Sequence, residues 1–192
     1  DSSDQIAVVK QALKALDIDD KLIQPRAALS RISQAKNKME TPEQMKNSGW
    51  GLRDQQIARV YEVYKRVLDD AGALDFDDLL LKTVDLFETN EFVREKYAQK
   101  FRYVMVDEYQ DTNRLQGALV DLITQGNGNL TAVGDDDQSI YRFRGAAIGN
   151  ILGFVDRYPS AGKVVLTKNY RSTTPILNAA RRLIRFNDPD RL

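Results

Sequence analysis

The stretch YVMVDEYQDTN (residues 103–113) starts as an apolar run and ends abruptly in acid, and TAVGDDDQSIYRFRGA (residues 131–146) repeats that design. In the second string three aspartates give way to glutamine, then to aromatics and arginines. Each predicts a short buried strand that delivers polar groups to one edge of a sheet. Around them, apolar runs at 103–106, 130–133 and 164–167 alternate with helical patterns at 115–123, 148–155 and 175–186. Short apolar strands separated by amphipathic helices specify an α/β fold with a parallel sheet and right-handed crossovers.

Upstream the pattern is helical. Ile6, Val9, Leu13 and Leu16 recur at helical spacing, and Leu29 and Ile32 follow a helix-opening Pro25. Thr41, Pro42 and Gln44 have the spacing of a capping box, residues 47–51 read as a loop, and Gly72 ends a long helix that carries Ile57, Val60, Tyr61 and Tyr64. Asp75 and Asn90 are candidate N-caps for two more helices, the second with Phe92, Val93, Tyr97 and Phe101 facing inward. Residues 1–72 are therefore expected to form an all-helical subdomain, and 73–192 the α/β part.

Composition narrows the chemistry. Apolar residues make up 42% and charged residues 29% of the 192, as in ordinary globular proteins. No run is long and apolar enough to span a membrane, and the first residues lack the basic start of a signal peptide, so a cytoplasmic protein is expected. There is no cysteine and no histidine. Disulfides, thiolate zinc sites and histidine general bases are thus excluded, leaving carboxylates, amides, arginine and a hard cation such as Mg2+. The net charge of zero conceals a division. Residues 107–137 hold seven acids against one base, residues 142–192 ten bases against three acids, and residues 24–66 nine bases against four. Basic regions flanking an acidic pocket suit a polyanion beside a metal site, although solvated helix faces give the same counts.

Parallel sheets carry their working groups at the carboxyl ends of strands. Asp107 and Glu108 sit at that edge, where one carboxylate can hold a hydrated metal and the other orient or deprotonate a water. Capping of the next helix, or an ion pair with Arg102 or Arg114, is the plain alternative. Gln138 offers donors and an acceptor without charge, which suits contact with a terminal phosphate. Tyr141, Arg142, Phe143 and Arg144 alternate aromatic and basic groups, which suits single-stranded nucleic acid, although two aromatics in isolation are more often core. Arg171, after the third predicted strand, could reach a γ-phosphate.

DEYQDTN, GDDDQSIYRFRGA and LTKNYRS (residues 166–172), in this order and spacing, resemble motifs II, III and IV of UvrD/Rep/PcrA-type superfamily 1 DNA helicases. LDFDDLL (residues 74–80) resembles the stretch by which that family's chain re-enters its first motor domain, 1A, after the helical insertion 1B. The resemblance implies a partial RecA-like P-loop NTPase sheet with flanking helices after a 1B-like subdomain. It implies a magnesium ligand at Asp107, with Glu108 beside it activating the hydrolytic water. Gln138 would contact the γ-phosphate, Tyr170 would pack near the adenine, and Arg171 would neutralise the γ-phosphate. Tyr141 and Phe143 would lie along single-stranded DNA, Phe143 standing where relatives usually carry tryptophan, and Arg144 would be a site residue. The cofactors implied are Mg2+ and ATP. The partners are single-stranded or partly duplex DNA and proteins of repair or replication, with no membrane.

The sequence contains no G-x-x-x-x-G-K-[ST] phosphate loop, and motifs V and VI are absent as well. The expectation is a fragment of an ATP-driven 3′-to-5′ helicase that is inactive alone. The alternatives are a stand-alone DNA- or protein-binding module and a piece of an AddA- or RecB-like helicase-nuclease.

Overall fold

The computed structural model describes residues 1–48, 51–125, 128–140 and 146–186. The chain is α/β and mostly helical, and it divides into two compact units. One comprises Asp1–Val104 with Asn113–Leu130, the other Met105–Thr112 with Thr131–Leu192.

The first unit holds α1 (Ser2–Ala15), α2 (Pro25–Asn37), α3 (Pro42–Ser48), α4 (Leu52–Asp70), α5 (Phe76–Thr89), α6 (Glu91–Lys100) and α7 (Arg114–Thr124). Their ends follow from local chemistry. The Thr41 hydroxyl accepts from the Gln44 amide at 3.1 Å and the Gln44 side chain accepts from the Thr41 amide at 2.8 Å, the expected capping box. At the end of α4, Gly72 takes φ +58° and donates to the Asp69 carbonyl, while Ala73 donates to Leu68. That is a Schellman termination, with glycine at the left-handed position. The same motif closes α1 at Asp17 and α2 at Met39, both with positive φ and a side chain.

Apolar stripes from α1, α2 and α4 interlock through Val9, Leu13, Ile32, Ile57, Val60 and Tyr64, all under 5% exposed. Set against this core is a charged cluster. The Lys36 ammonium, 2% exposed, lies 2.7 Å from Asp75 Oδ2 and 2.7 Å from Asp78 Oδ1. The Tyr64 hydroxyl donates to Asp75 Oδ2 at 2.9 Å, and Asp75 Oδ1 caps α5 by accepting from the Asp78 amide at 2.8 Å. Next along α2, Asn37 donates to Asp77 at 3.0 Å and accepts from Asn113, the cap of α7, at 2.6 Å. Burial alone would raise the Asp75 carboxyl, but the ammonium beside it and its amide and hydroxyl donors hold it below the ordinary value of 3.8. Burial, with these carboxylates nearby, pushes the Tyr61 and Tyr64 phenols well above their usual range.

β1 (Val104–Val106) and β2 (Leu130–Ala132) form a two-stranded sheet. The Val104 amide donates to the Asn129 carbonyl and the Val133 amide to the Val106 carbonyl, so pairing advances in step along both chains. The strands are parallel. The second unit adds α8 (Gly149–Leu152), α9 (Phe154–Arg157) and α10 (Thr174–Ile184).

Several expectations are corrected. The strand expected at 164–167 is absent: Val164, Val165 and Leu166 are 85%, 67% and 84% exposed, outside any ladder. A β-rich run becomes a strand only where a neighbour pairs with it, and propensity supplies no partner. The strands expected to be buried are open on one face, with Met105 76% exposed while Val104 and Val106 are half-buried, because burial of a parallel sheet requires helices over both faces. The helix expected over 148–155 pauses at Gly153 and resumes as α9. Asn47 and Ser48, expected in a loop, continue α3, which buried Met45 pins to the core; Gly49 and Trp50 lie outside the described residues. Phe92 points outward, 78% exposed, because Val93, Tyr97 and Ala98 take the inward stripe of α6.

Removing the Lys36 charge leaves two buried carboxylates without their cation. Lys36→Met should therefore lower the unfolding free energy by about 3–5 kcal/mol in urea titrations followed by circular dichroism. The pH dependence gives a second reading. In the wild-type chain the folded Asp75 value lies below the unfolded one, so its stabilisation is complete above 3.8 and is lost as pH falls through the folded value. In Lys36→Met burial dominates and the value rises, so acid relieves the buried charge. The stability gap between the two proteins should narrow between pH 7 and about pH 4; a constant gap would contradict the assignment.

Candidate functional site

Asp107 and Glu108 follow β1 directly and both side chains are exposed. Neither caps the next helix. That role belongs to Asn113, whose side chain accepts from the Gln116 amide at 2.8 Å while Gln116 answers at 3.0 Å. Asp107 Oδ1 instead accepts the Glu108 amide at 2.9 Å. Glu108 adopts φ +50°, ψ +44°, the left-handed region that a residue with a Cβ enters at a cost. The bonds on either side enforce it. Tyr109 donates its amide to the Val133 carbonyl at 2.9 Å, and Asp111 donates to the Glu108 carbonyl at 2.9 Å in a 310 turn over Tyr109–Asp111.

That turn is anchored from beneath. Tyr109 is fully buried and meets the Phe154 ring edge-on at 5.4 Å. Arg157 donates to the Asn150 carbonyl at 2.6 Å and reaches the Tyr109 hydroxyl at 3.3 Å. Asn150 in turn donates to the Thr112 carbonyl at 3.1 Å and hydroxyl at 3.0 Å. Gln110, within the same polar string, is 1% exposed. Its amide nitrogen donates to Glu108 Oε2 at 2.7 Å and its oxygen accepts the Asp135 amide at 3.1 Å. Asp111 keeps Oδ1 buried with no hydrogen-bond partner among the described residues.

The loop after β2 passes close by. A Cβ on Gly134 would fall 2.7 Å from Gln110 Oε1 and 2.8 Å from Ile151 Cδ1, so any side chain here would have to displace the ends of both residues. Asp135 Oδ1 accepts the Asp137 amide at 3.0 Å, and Asp135 Oδ2 accepts from the Gln138 side chain at 2.8 Å. Gln138 is exposed at the end of this short turn.

The structure thus brings Asp107, Glu108 and Gln138 onto two neighbouring loops at the carboxyl ends of adjacent strands. Tyr170 is 90% exposed, and no described hydrogen bond or ion pair joins it or Arg171 to those loops. The Arg171 amide is held by Asn169 Oδ1 at 3.0 Å, which shapes the backbone and leaves the guanidinium exposed. Tyr141, Phe143 and Arg144 lie outside the described residues. Sequence reading missed Asn150 and Arg157, whose positions in short helices carry no motif. Among the described residues there is no cluster of three or more acidic ligands. Mg2+ needs only one or two carboxylates when phosphate and water complete its octahedron, so the exposed Asp107–Glu108 pair fits that ion.

Comparison with known proteins gives the family. The profile of the UvrD/REP helicase N-terminal domain matches residues 1–159. The chain is 47% identical over 187 residues, 97% of its length, to the ATP-dependent DNA helicase PcrA of Staphylococcus epidermidis and to that of Staphylococcus aureus. It spans about a quarter (26%) of the length of these curated relatives. A profile that covers most of the chain, together with near half identity along almost all of it, places this protein in one family: it belongs to the UvrD/REP helicases, as part of their N-terminal domain.

Proposed function

We propose that the chain is the 1B insertion (residues 1–72) and the later part of motor domain 1A (residues 73–192) of an ATP-driven 3′-to-5′ DNA helicase, with a RecA-like sheet as its catalytic frame. The observation that carries this is the pair of loops after β1 and β2. A strained, exposed Glu108 beside Asp107 stands on one and Gln138 on the next, in a chain so similar to proteins named as ATP-dependent DNA helicases.

Chemistry and placement on the two loops support the roles of Asp107, Glu108 and Gln138, and the motif resemblance supports those of Tyr170, Arg171, Tyr141, Phe143 and Arg144. Asp107 offers a hard oxygen at the sheet edge for the magnesium that accompanies ATP, and Glu108 next to it orients the water and accepts its proton. A magnesium ion held there would neutralise negative charge on the ATP phosphates. Gln138 meets the terminal phosphate through a neutral amide, so its hydrogen bonds report whether that phosphate is present. Tyr170 stacks near the base, and Arg171 balances the γ-phosphate charge. Tyr141 and Phe143 stack on bases of single-stranded DNA, and Arg144 joins that surface. The exposure of Met105, Val164 and Leu166 agrees with a sheet that further chain completes.

Two measurements test this. In the longer protein that carries this chain, Glu108→Gln should keep ATP binding and lose turnover by about 10²-fold or more. Normal hydrolysis in that variant would remove Glu108 from its role. The 192-residue chain by itself has no phosphate-loop lysine. Titrated with a fluorescent ATP analogue, it should bind only weakly, and micromolar affinity would show that the loops after β1 and β2 hold the nucleotide unaided.

A further inference from the structure

Among the described residues, Gln110 is the one fully buried polar side chain that touches both loops of the site. Its amide is oriented by its neighbours: the Glu108 carboxylate can only accept, so it faces Nε2, and the Asp135 N–H can only donate, so it faces Oε1. The path continues from the Asp135 carboxylate to the Gln138 side chain at 2.8 Å. Gly134 leaves no room for a Cβ against Gln110 Oε1, so the fit is close on that side too. Neither a core role nor solubility accounts for a side chain that satisfies a candidate base with one end and the phosphate-facing loop with the other.

We propose that Gln110 is a positioning residue that fixes the Glu108 carboxylate against the loop carrying Gln138, so that the water-activating group and the phosphate-contacting amide move as one unit. This rests on the hydrolytic role given to Glu108 above. Gln110 does not itself touch nucleotide. Its two hydrogen bonds confine the Glu108 carboxylate and oppose relaxation of a backbone held at positive φ. A change in the hydrogen bonding of Gln138 is passed through Asp135 and Gln110 to Glu108, by three hydrogen bonds of 2.7–3.1 Å joined through the Asp135 residue itself.

The test uses the longer protein that carries this chain and compares Gln110→Met, which keeps length and burial, with Glu108→Gln and the double variant. Misplacing a reacting group by about 1 Å costs up to about 10²-fold, so Gln110→Met should lower kcat for ATP hydrolysis by about 10-fold to 10²-fold. KM for ATP and the thermal midpoint should stay close to wild type. The double variant should lose little beyond Glu108→Gln alone, because residues acting as one unit are not additive. A purely structural glutamine would shift the thermal midpoint and leave kcat intact in the folded fraction. Gly134→Ala supplies an independent route, since its Cβ displaces Gln110 without removing the amide, and it should lower kcat likewise. If Gln110→Met does not fold, Gly134→Ala decides alone. Wild-type kcat in the deciding variant, or losses that multiply in the double variant, overturns the proposal while leaving Glu108 in its role. Full turnover in Glu108→Gln overturns the underlying assignment and this proposal with it.

Discussion

The Lys36 ammonium is the constraint on which the helical unit turns. A cation with 2% exposure has lost its water, and only close carboxylates make that burial tolerable. Asp75 divides its oxygens to meet the need: Oδ1 starts α5, while Oδ2 receives both Lys36 and the Tyr64 hydroxyl. One side chain therefore sets a helix start and a tertiary contact together, so α2, α4 and α5 can meet in only one register. Asn37, the next residue, extends this to Asp77 and to the cap of α7. A hydrophobic core tolerates sliding and repacking, whereas a three-way ionic contact at 2.7 Å does not.

The site obeys a different rule. Its strands have three residues each, too few to hold geometry by ladder bonds alone. Rigidity comes from single polar side chains aimed at backbone groups. Asn150 holds Thr112, Arg157 holds the Asn150 carbonyl and the Tyr109 hydroxyl, and Gln110 holds Asp135. These keep Glu108 at a positive φ that it would leave if free.

Much of this was legible from residues in order. Caps at Thr41, Asp75 and Asn90, the glycine terminating α4, and the strand-then-acid pattern of β1 and β2 are local signals, set by groups within a few positions of one another. What escaped was set by distant partners. The run at 164–167 has strand composition and no ladder, so propensity alone misassigned it. Gln110 lies in a polar string that looks solvated, yet it is buried because two loops separated by more than twenty residues close over it. Lys36 left one clue: it stands four residues after Ile32, on the buried stripe of α2, where a charge demands a partner elsewhere. Asp75 and Asp78 in LDFDDLL are that partner, but nothing local joins the two segments.

The bareness of α10 carries a consequence for the ranking of local stabilities. Its apolar residues Ile176 and Leu183, and Phe186 just beyond its end, are 60%, 75% and 81% exposed, and none of its side chains is buried. Leu177 and Ile184 are only half-buried, and a helix that buries so little apolar surface opens readily. Backbone amides of α10 should thus exchange with solvent deuterium well before those of α1, α2 and α4. The site loops, pinned by a handful of side chains, should exchange at rates between these extremes, and a ligand bound to the folded loops would slow that exchange.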